Sequence, residues 1–164
     1  MNPYVYDFDK IPAELKSLKQ WVLWKLEKTV NSKGEVKYTK PPYQKDGIKA
    51  STINNAHWST FNGVVRVFKA GGYDGIGFVF TGTQYIGIDL DECIDESGNL
   101  SPMAADIVRR LDSYTEYSYS KEGLHIICKG KLPDGERRNK KNGIEMYGDG
   151  SPHYFVMTGD IYDG

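Results

Sequence analysis

Apolar and polar positions recur along the chain with periods of two and of about 3.6, and these periods divide it into elements. Ile11-Pro-Ala-Glu-Leu-Lys-Ser-Leu18 predicts a short helix with Pro12 in its first turn, where a missing N–H costs nothing. Gln20-Trp-Val-Leu-Trp-Lys-Leu-Glu27 is rich in aromatic and branched residues and predicts a strand. Asn31-Ser-Lys-Gly-Glu35 predicts a hairpin-type turn with a return over residues 36–39. Lys40-Pro-Pro-Tyr43 then predicts an exit from the sheet, because proline cannot donate to a central ladder, and residues 44–54 a polar loop. The next helix is expected from Asn54 or Asn55, with Trp58, Phe61, Val65 and Phe68 as its apolar stripe and Gly71-Gly72 as its stop. Residues 75–80 and 84–89, joined by Thr-Gly-Thr, predict a β-hairpin. Ser101 and Pro102 open a helix whose expected buried face is Met103, Ile107, Val108 and Leu111. Strands are expected at 115–118, 124–128, 143–147 and 153–158, with a basic loop at 131–141.

Helix and strand segments followed by a β-rich half with one connecting helix predict an α+β fold, a mainly antiparallel sheet with helices packed on one side. A length of 164 residues with 39% hydrophobic and 13% aromatic content supports one packed domain and excludes a disordered chain. No apolar run approaches the ~20 residues of a bilayer span. Met-Asn-Pro-Tyr-Val-Tyr-Asp at the N-terminus lacks the basic and apolar regions of a signal peptide, so a cytoplasmic protein is expected. Cys93 and Cys128 stand far apart without a Cys-x-x-Cys pair, which argues for small buried hydrophobes and against structural zinc.

Charge changes the picture. The net charge of −1 argues against a polyanionic partner, but its distribution does not. Residues 25–49 hold seven lysines against three acids, and residues 129–141 six basic residues against two acids, so the two windows carry +8 and the remainder −9. Basic segments flanking an acidic centre suit a chain that binds polyanions and metals together. Solvated lysine-rich loops would give the same counts.

The acidic centre is Tyr85-Ile-Gly-Ile-Asp-Leu-Asp-Glu92. On an extended strand Asp89 and Asp91 share one face with Gly87, and Ile86, Ile88 and Leu90 share the buried one. Two adjacent carboxylates repel unless a cation lies between them; a solvated turn is the other way to tolerate them. A calcium loop starting at Asp89 fails, since its fifth and sixth positions are Cys93 and Ile94 where an oxygen ligand and glycine are required. Glu145 in Gly143-Ile-Glu-Met-Tyr147 alternates away from Ile144 and Met146; placed beside the first strand it would complete a three-carboxylate cage for two divalent cations. Standing alone it would be a surface residue. His125 follows a glycine-containing turn with Ser118, Ser120, Lys121 and Gly123, whose hydroxyls, N–H groups and ammonium suit phosphate oxygens. A satisfied structural histidine is the competing reading.

Asp89-Leu-Asp91, the Ser-x-x-Gly-Leu-His turn at 120–125 and Ile144-Glu-Met-Tyr147, in that order, resemble the three motifs of the archaeo-eukaryotic primase superfamily. The chain is more closely similar to the primase-polymerase domains of phages, plasmids and other mobile elements. That similarity includes Gln20-Trp-Val-Leu-Trp24, Lys40-Pro-Pro-Tyr43, Ala50-Ser51, Gly75-Ile-Gly-Phe78, Tyr114-Thr-Glu-Tyr-Ser118, Gly130-Lys-Leu-Pro133 and Tyr154-Phe-Val-Met-Thr-Gly159. The resemblance implies an N-terminal α/β subdomain, approximately 1–72, and a catalytic subdomain like an RNA-recognition motif, 73–164. It implies template-directed nucleotidyl transfer with two Mg²⁺ or Mn²⁺ ions on Asp89, Asp91 and Glu145. His125 and Ser120, with Ser118, Lys121 and Gly123, would hold the incoming triphosphate.

Lys121 stands where relatives usually have glycine, and His153 where they often have arginine; Arg137 or Arg138 is the expected substitute. Template contacts are expected from Lys40, Arg137, Arg138, Lys140 and Lys141, and base stacking from Trp24, Tyr38 or Tyr43 unless these are core aromatics. The implied partners are single-stranded DNA template, primer and nucleoside triphosphates, with a downstream helicase domain or protein. A metal-dependent nuclease, a sugar-nucleotide transferase using Asp-x-Asp and a non-catalytic single-strand-binding module are the other readings.

Overall fold

The computed structural model describes residues 6–133 and 138–164, with 138–141 described by backbone alone. Eleven strands and three α-helices appear among the described residues: α1 (Ala13–Lys16), β1 (Trp21–Trp24), β2 (Glu27–Val30), β3 (Val36–Thr39), β4 (Pro42–Tyr43), α2 (Phe61–Ala70), β5 (Gly75–Val79), β6 (Tyr85–Leu90), α3 (Pro102–Leu111), β7 (Tyr114–Tyr117), β8 (Leu124–Lys129), β9 (Arg138–Lys141), β10 (Ile144–Tyr147) and β11 (Tyr154–Met157). They form a four-stranded sheet in the order β11-β5-β1-β4, a five-stranded sheet in the order β7-β8-β6-β10-β9, and a separate β2-β3 ribbon. All pairings between these strands are antiparallel. This is the α+β class expected from the sequence. No helix among the described residues is long and apolar enough to cross a membrane.

The two larger sheets are held together through β6, whose faces meet different cores. Ile88 and Leu90 pack with Leu124, Ile126, Cys93 and Ala104 of α3, beside partly buried Ile86, Ile107 and Val108. On the opposite face Tyr85, Ile127 and Tyr147 join Phe78, Phe80 and Phe155 of the four-stranded sheet, with Phe61 and Val64 of α2 in the same core. Gly87 permits that contact: a Cβ there would stand 2.5 Å from atoms of both the Phe155 and Phe80 rings. Asp89 lies two residues further along, where the facing sheet no longer covers the strand fully, and it is only half-buried.

Several local expectations are corrected. β5 and β6 do not form a hairpin; each is buried in its own sheet and paired on both sides, so the intervening turn carries the chain from one sheet to the other. Pro42 and Tyr43 do not leave the sheet but close its edge against β1, where a proline without an N–H is tolerated. The helix expected from Asn54 or Asn55 begins later. Asn54 caps only a 3₁₀ turn at Asn55–His57, and Thr60 caps α2 by accepting from the Gly63 N–H. Trp58 is therefore buried outside the helix, against Val22 and Val79. In α3, Ala104 takes the innermost position, while Met103 and Leu111 are exposed. Part of the basic loop is a strand, β9, joined to β10 through Asn142 and Gly143, both with positive φ as a type I′ turn requires. The four-stranded sheet draws β5 and β11 from beyond residue 72.

Substituting Gly87 with alanine is expected to destabilise the chain by about 1–3 kcal/mol, the usual cost of overfilling a packed core. Chemical denaturation measures it, and a variant as stable as the parent would show that Phe155 is not seated on β6.

Candidate active site

Strand register assembles the site. Glu116 on β7, His125 on β8, Asp89 on β6 and Glu145 on β10 stand in one row, each directly opposite the next. Directly opposed residues share a sheet face, with Cβ atoms about 4.5–5.5 Å apart. Asp91 lies two positions beyond Asp89, exposed, its N–H donating to the Gly143 carbonyl at 3.0 Å. Of the three acids proposed from the sequence, Asp89 and Glu145 thus stand side by side on adjoining strands, and Asp91 follows in the turn after β6. The backbone of Lys140 continues the row beyond Glu145.

His125 is buried and fixed on both sides. Its ring stacks on Phe155 with centroids 4.3 Å apart and planes 12° apart. Nδ1 lies 3.3 Å from the Val156 carbonyl, which can only accept, so Nδ1 carries the hydrogen. Nε2 then points toward Asp89, 3.6 Å from Oδ1. Burial lowers the imidazole pKa, opposed by the charge of Glu116 and the Val156 contact.

Glu116 is fully buried and was not singled out by sequence reasoning, because glutamate in a strand reads as solvent-facing. Its carboxylate accepts from the Thr158 N–H at 3.0 Å, the Gly159 N–H at 3.0 Å and the Tyr114 hydroxyl at 2.6 Å. Desolvation raises its pKa against these donors and the neighbouring imidazole. Burial therefore biases both members of the Glu116–His125 pair toward their neutral forms.

A cavity of about 400 Å³ opens beside the row, lined by Lys40, Asp89, His125, Tyr147, His153 and Phe155 among others. Lys40, expected as a template contact, stands inside it. Burial lowers its pKa and the Asp89 charge pulls it back up, while its ammonium lies 5.0 Å from the Tyr119 ring centroid. The Tyr154 hydroxyl donates to the Lys40 carbonyl at 2.5 Å, tying this residue to β11. His153 tilts against Tyr147 with ring centroids 5.2 Å apart.

On the other flank Asp91, Ser120, Glu122, Gly123 and Gly143 line a second depression. The turn between β7 and β8 is closed by Ser118 N–H to Gly123 carbonyl and Lys121 N–H to Ser118 carbonyl, both 2.9 Å. The Ser118 and Ser120 hydroxyls are 3.1 Å apart, and Ser118 Oγ also accepts from the Gly123 N–H at 3.2 Å. Gly123 is held against β6, where a Cβ would stand 2.4 Å from the Leu90 carbonyl. Lys121 turns away from both cavities to pair with Asp160, its ammonium over the Tyr117 ring. Arg137 lies outside the described residues, as do the side chains of Arg138, Lys140 and Lys141. Trp24 and Tyr43 are buried core aromatics, whereas Tyr38 is exposed.

The donor set fits a hard divalent cation in kind, being carboxylates on two paired strands with a third in the turn that follows. Among the described residues, however, no three His, Cys, Asp or Glu side chains are gathered closely enough to hold a metal as they stand. The Tyr147 hydroxyl donates to the Glu145 carboxylate, and Asp89 faces His125.

No family model matches the chain. A DNA primase-polymerase of Nitratiruptor phage NrS-1 is 34% identical over 164 residues, an alignment covering 94% of this chain. The chain spans about a fifth, 21%, of the length of that relative. It is therefore similar, over nearly all its residues, to one segment of a phage DNA primase-polymerase, and that similarity supports the phage primase-polymerase type of domain indicated by its motifs.

Proposed function

We propose that this domain carries the nucleotidyl-transfer centre of a primase-polymerase, extending a strand on a DNA template from nucleoside triphosphates. The observation that carries the reading is the row Glu145–Asp89–His125 beside a cavity containing Lys40. In the reaction a 3′-hydroxyl attacks the α-phosphate, a new P–O bond forms and pyrophosphate leaves. Asp89, Asp91 and Glu145 would hold two Mg²⁺ or Mn²⁺ ions, which supply a lowered hydroxyl pKa and charge neutralisation at the leaving oxygens.

The chain's own groups bind and orient. Lys40 offers a positive charge in a partly dehydrated cavity, where its attraction for phosphate is strengthened. Val156 and Phe155 keep the imidazole from turning, so Nε2 is presented to the cavity; in the protonated form it donates to a phosphate oxygen. The turn at 118–123 presents the Ser120 hydroxyl beside Asp91 on the second flank. Tyr147 orients the Glu145 carboxylate through its hydroxyl, a neighbour of the kind whose loss costs a metal site about 10–100-fold.

Asp89→Ala and Glu145→Gln are expected to reduce primer extension with Mg²⁺ or Mn²⁺ by more than about a hundredfold, beyond the loss typical of supporting residues, with the thermal midpoint preserved. Extension at the parental rate by either variant would remove that acid from the centre. Degradation of the strand by the parent chain with no triphosphate present would favour a nuclease instead. For His125→Ala, triphosphate affinity is expected to fall about 10–100-fold, the worth of a hydrogen bond to a charged group. Equilibrium binding with a non-hydrolysable triphosphate measures this, and unchanged affinity would return His125 to a purely structural role.

A further inference from the structure

The β2-β3 ribbon belongs to neither large sheet, and its strands pair only with each other. Register places Lys28 opposite Tyr38 and Val30 opposite Val36, so all four share one face. That face is bare: Val30 is 62% exposed, Val36 52% and Tyr38 61%. A two-stranded ribbon without a covered face is marginal in water, and a contiguous exposed apolar face marks an interaction site.

Charge and position identify the occupant. The ribbon's two acids are engaged: Glu27 accepts from the Lys49 ammonium and the Tyr43 hydroxyl, and Glu35 accepts from the Asn31 amide. Lys28, Lys33 and Lys37 are exposed and ion-pair with no described residue. Thr39 at the end of β3 and Lys40 after it line the cavity that holds Asp89 and His125. The ribbon is thus a lysine-edged platform with an aromatic ring, continuous with the candidate centre.

We infer that the ribbon is a docking arm for single-stranded nucleic acid, with a base stacked on Tyr38 and flanking phosphates on Lys28 of the same face and Lys33 of the turn. This rests on the proposed polymerase reading, in which the strand would be the template running to or from the centre. A stacking ring among cations that follow the backbone is the arrangement that binds single strands without reading their sequence. A second copy of the chain is a poorer occupant, because the same lysines would be brought against one another. Each strand of four residues spans about 13 Å, enough for a short stretch of nucleic acid and too little for a stable protein interface.

The experiment uses the whole chain and a fluorescein-labelled single-stranded oligonucleotide, read by anisotropy without metal or triphosphate. Tyr38→Ala is expected to weaken binding about five- to a hundredfold, and Tyr38→Trp to restore it. Lys28→Ala with Lys33→Ala is expected to reduce the slope of log affinity against log salt by about 1.4, two single-strand phosphate contacts. The thermal midpoint should hold in each variant, since the ribbon lies outside both cores. Parental affinity in all these variants, or a parent chain that binds no single strand, overturns the inference. So does a parent that sediments as a dimer and becomes a monomer with Tyr38→Ala. The polymerase reading is judged separately, by primer extension with the parent chain. If the parent cannot extend a primer yet the ribbon variants lose binding, the arm stands and the polymerase reading falls.

Discussion

The ring of Phe155 lies where the two large sheets meet, and the candidate site depends on its seat. One side of the ring rests on β6 at Gly87, where any side chain would displace it. It meets Phe80 edge-on at 5.0 Å and Tyr147 edge-on at 5.5 Å, which locks the four-stranded sheet to β10 of the other. The same ring carries the His125 imidazole in a stacked contact. A core contact and the orientation of a functional group are therefore one interaction. Sheet packing, rather than a loop, sets where Nε2 points, and aromatic contacts of this kind supply about 0.5–1.5 kcal/mol beyond the area they bury.

Burial divides the charged groups of the site into two kinds. Asp89 and Asp91 reach solvent, the first partly and the second openly, while Glu145, His125 and Glu116 are buried. Isolated charges in such positions would be costly, and each buried group has a contact: Tyr147 on Glu145, Val156 and Phe155 on His125, and backbone N–H groups with Tyr114 on Glu116. Within the row Glu116 is sealed at β7, and Asp89, between buried His125 and buried Glu145, is the member that reaches solvent.

The acids and the histidine were legible in the sequence because strand alternation and motif order both act locally. Period two predicts one face for Asp89 and Asp91, and the same period gives Glu145 the face opposite Ile144 and Met146. What local pattern could not supply was which strands pair. A short turn joining two apolar runs predicts a β5–β6 hairpin, yet each run has a better partner far along the chain, β11 for one and β8 for the other. Local pattern does not mark Glu116 for the same reason, since its partners at Thr158 and Gly159 are over forty residues away. The Asn142-Gly143 turn was a local signal in plain view, masked by the basic composition around it.

The last part of the chain fastens both sheets. β11 pairs with β5 at one edge of the four-stranded sheet, and a few residues later the Tyr117 N–H donates to Asp160 and the Tyr162 N–H to Thr115 along the edge of the other. Glu116 grips the crossing between them. During synthesis, β1 and β5 can meet early, but β5 keeps an open edge and Gly87 an empty seat until residues 154–157 emerge. Contacts that span this much sequence close slowly and leave strand edges bare in the interval. The histidine acquires its stacking partner in the same late event, so the site is finished only when the fold is.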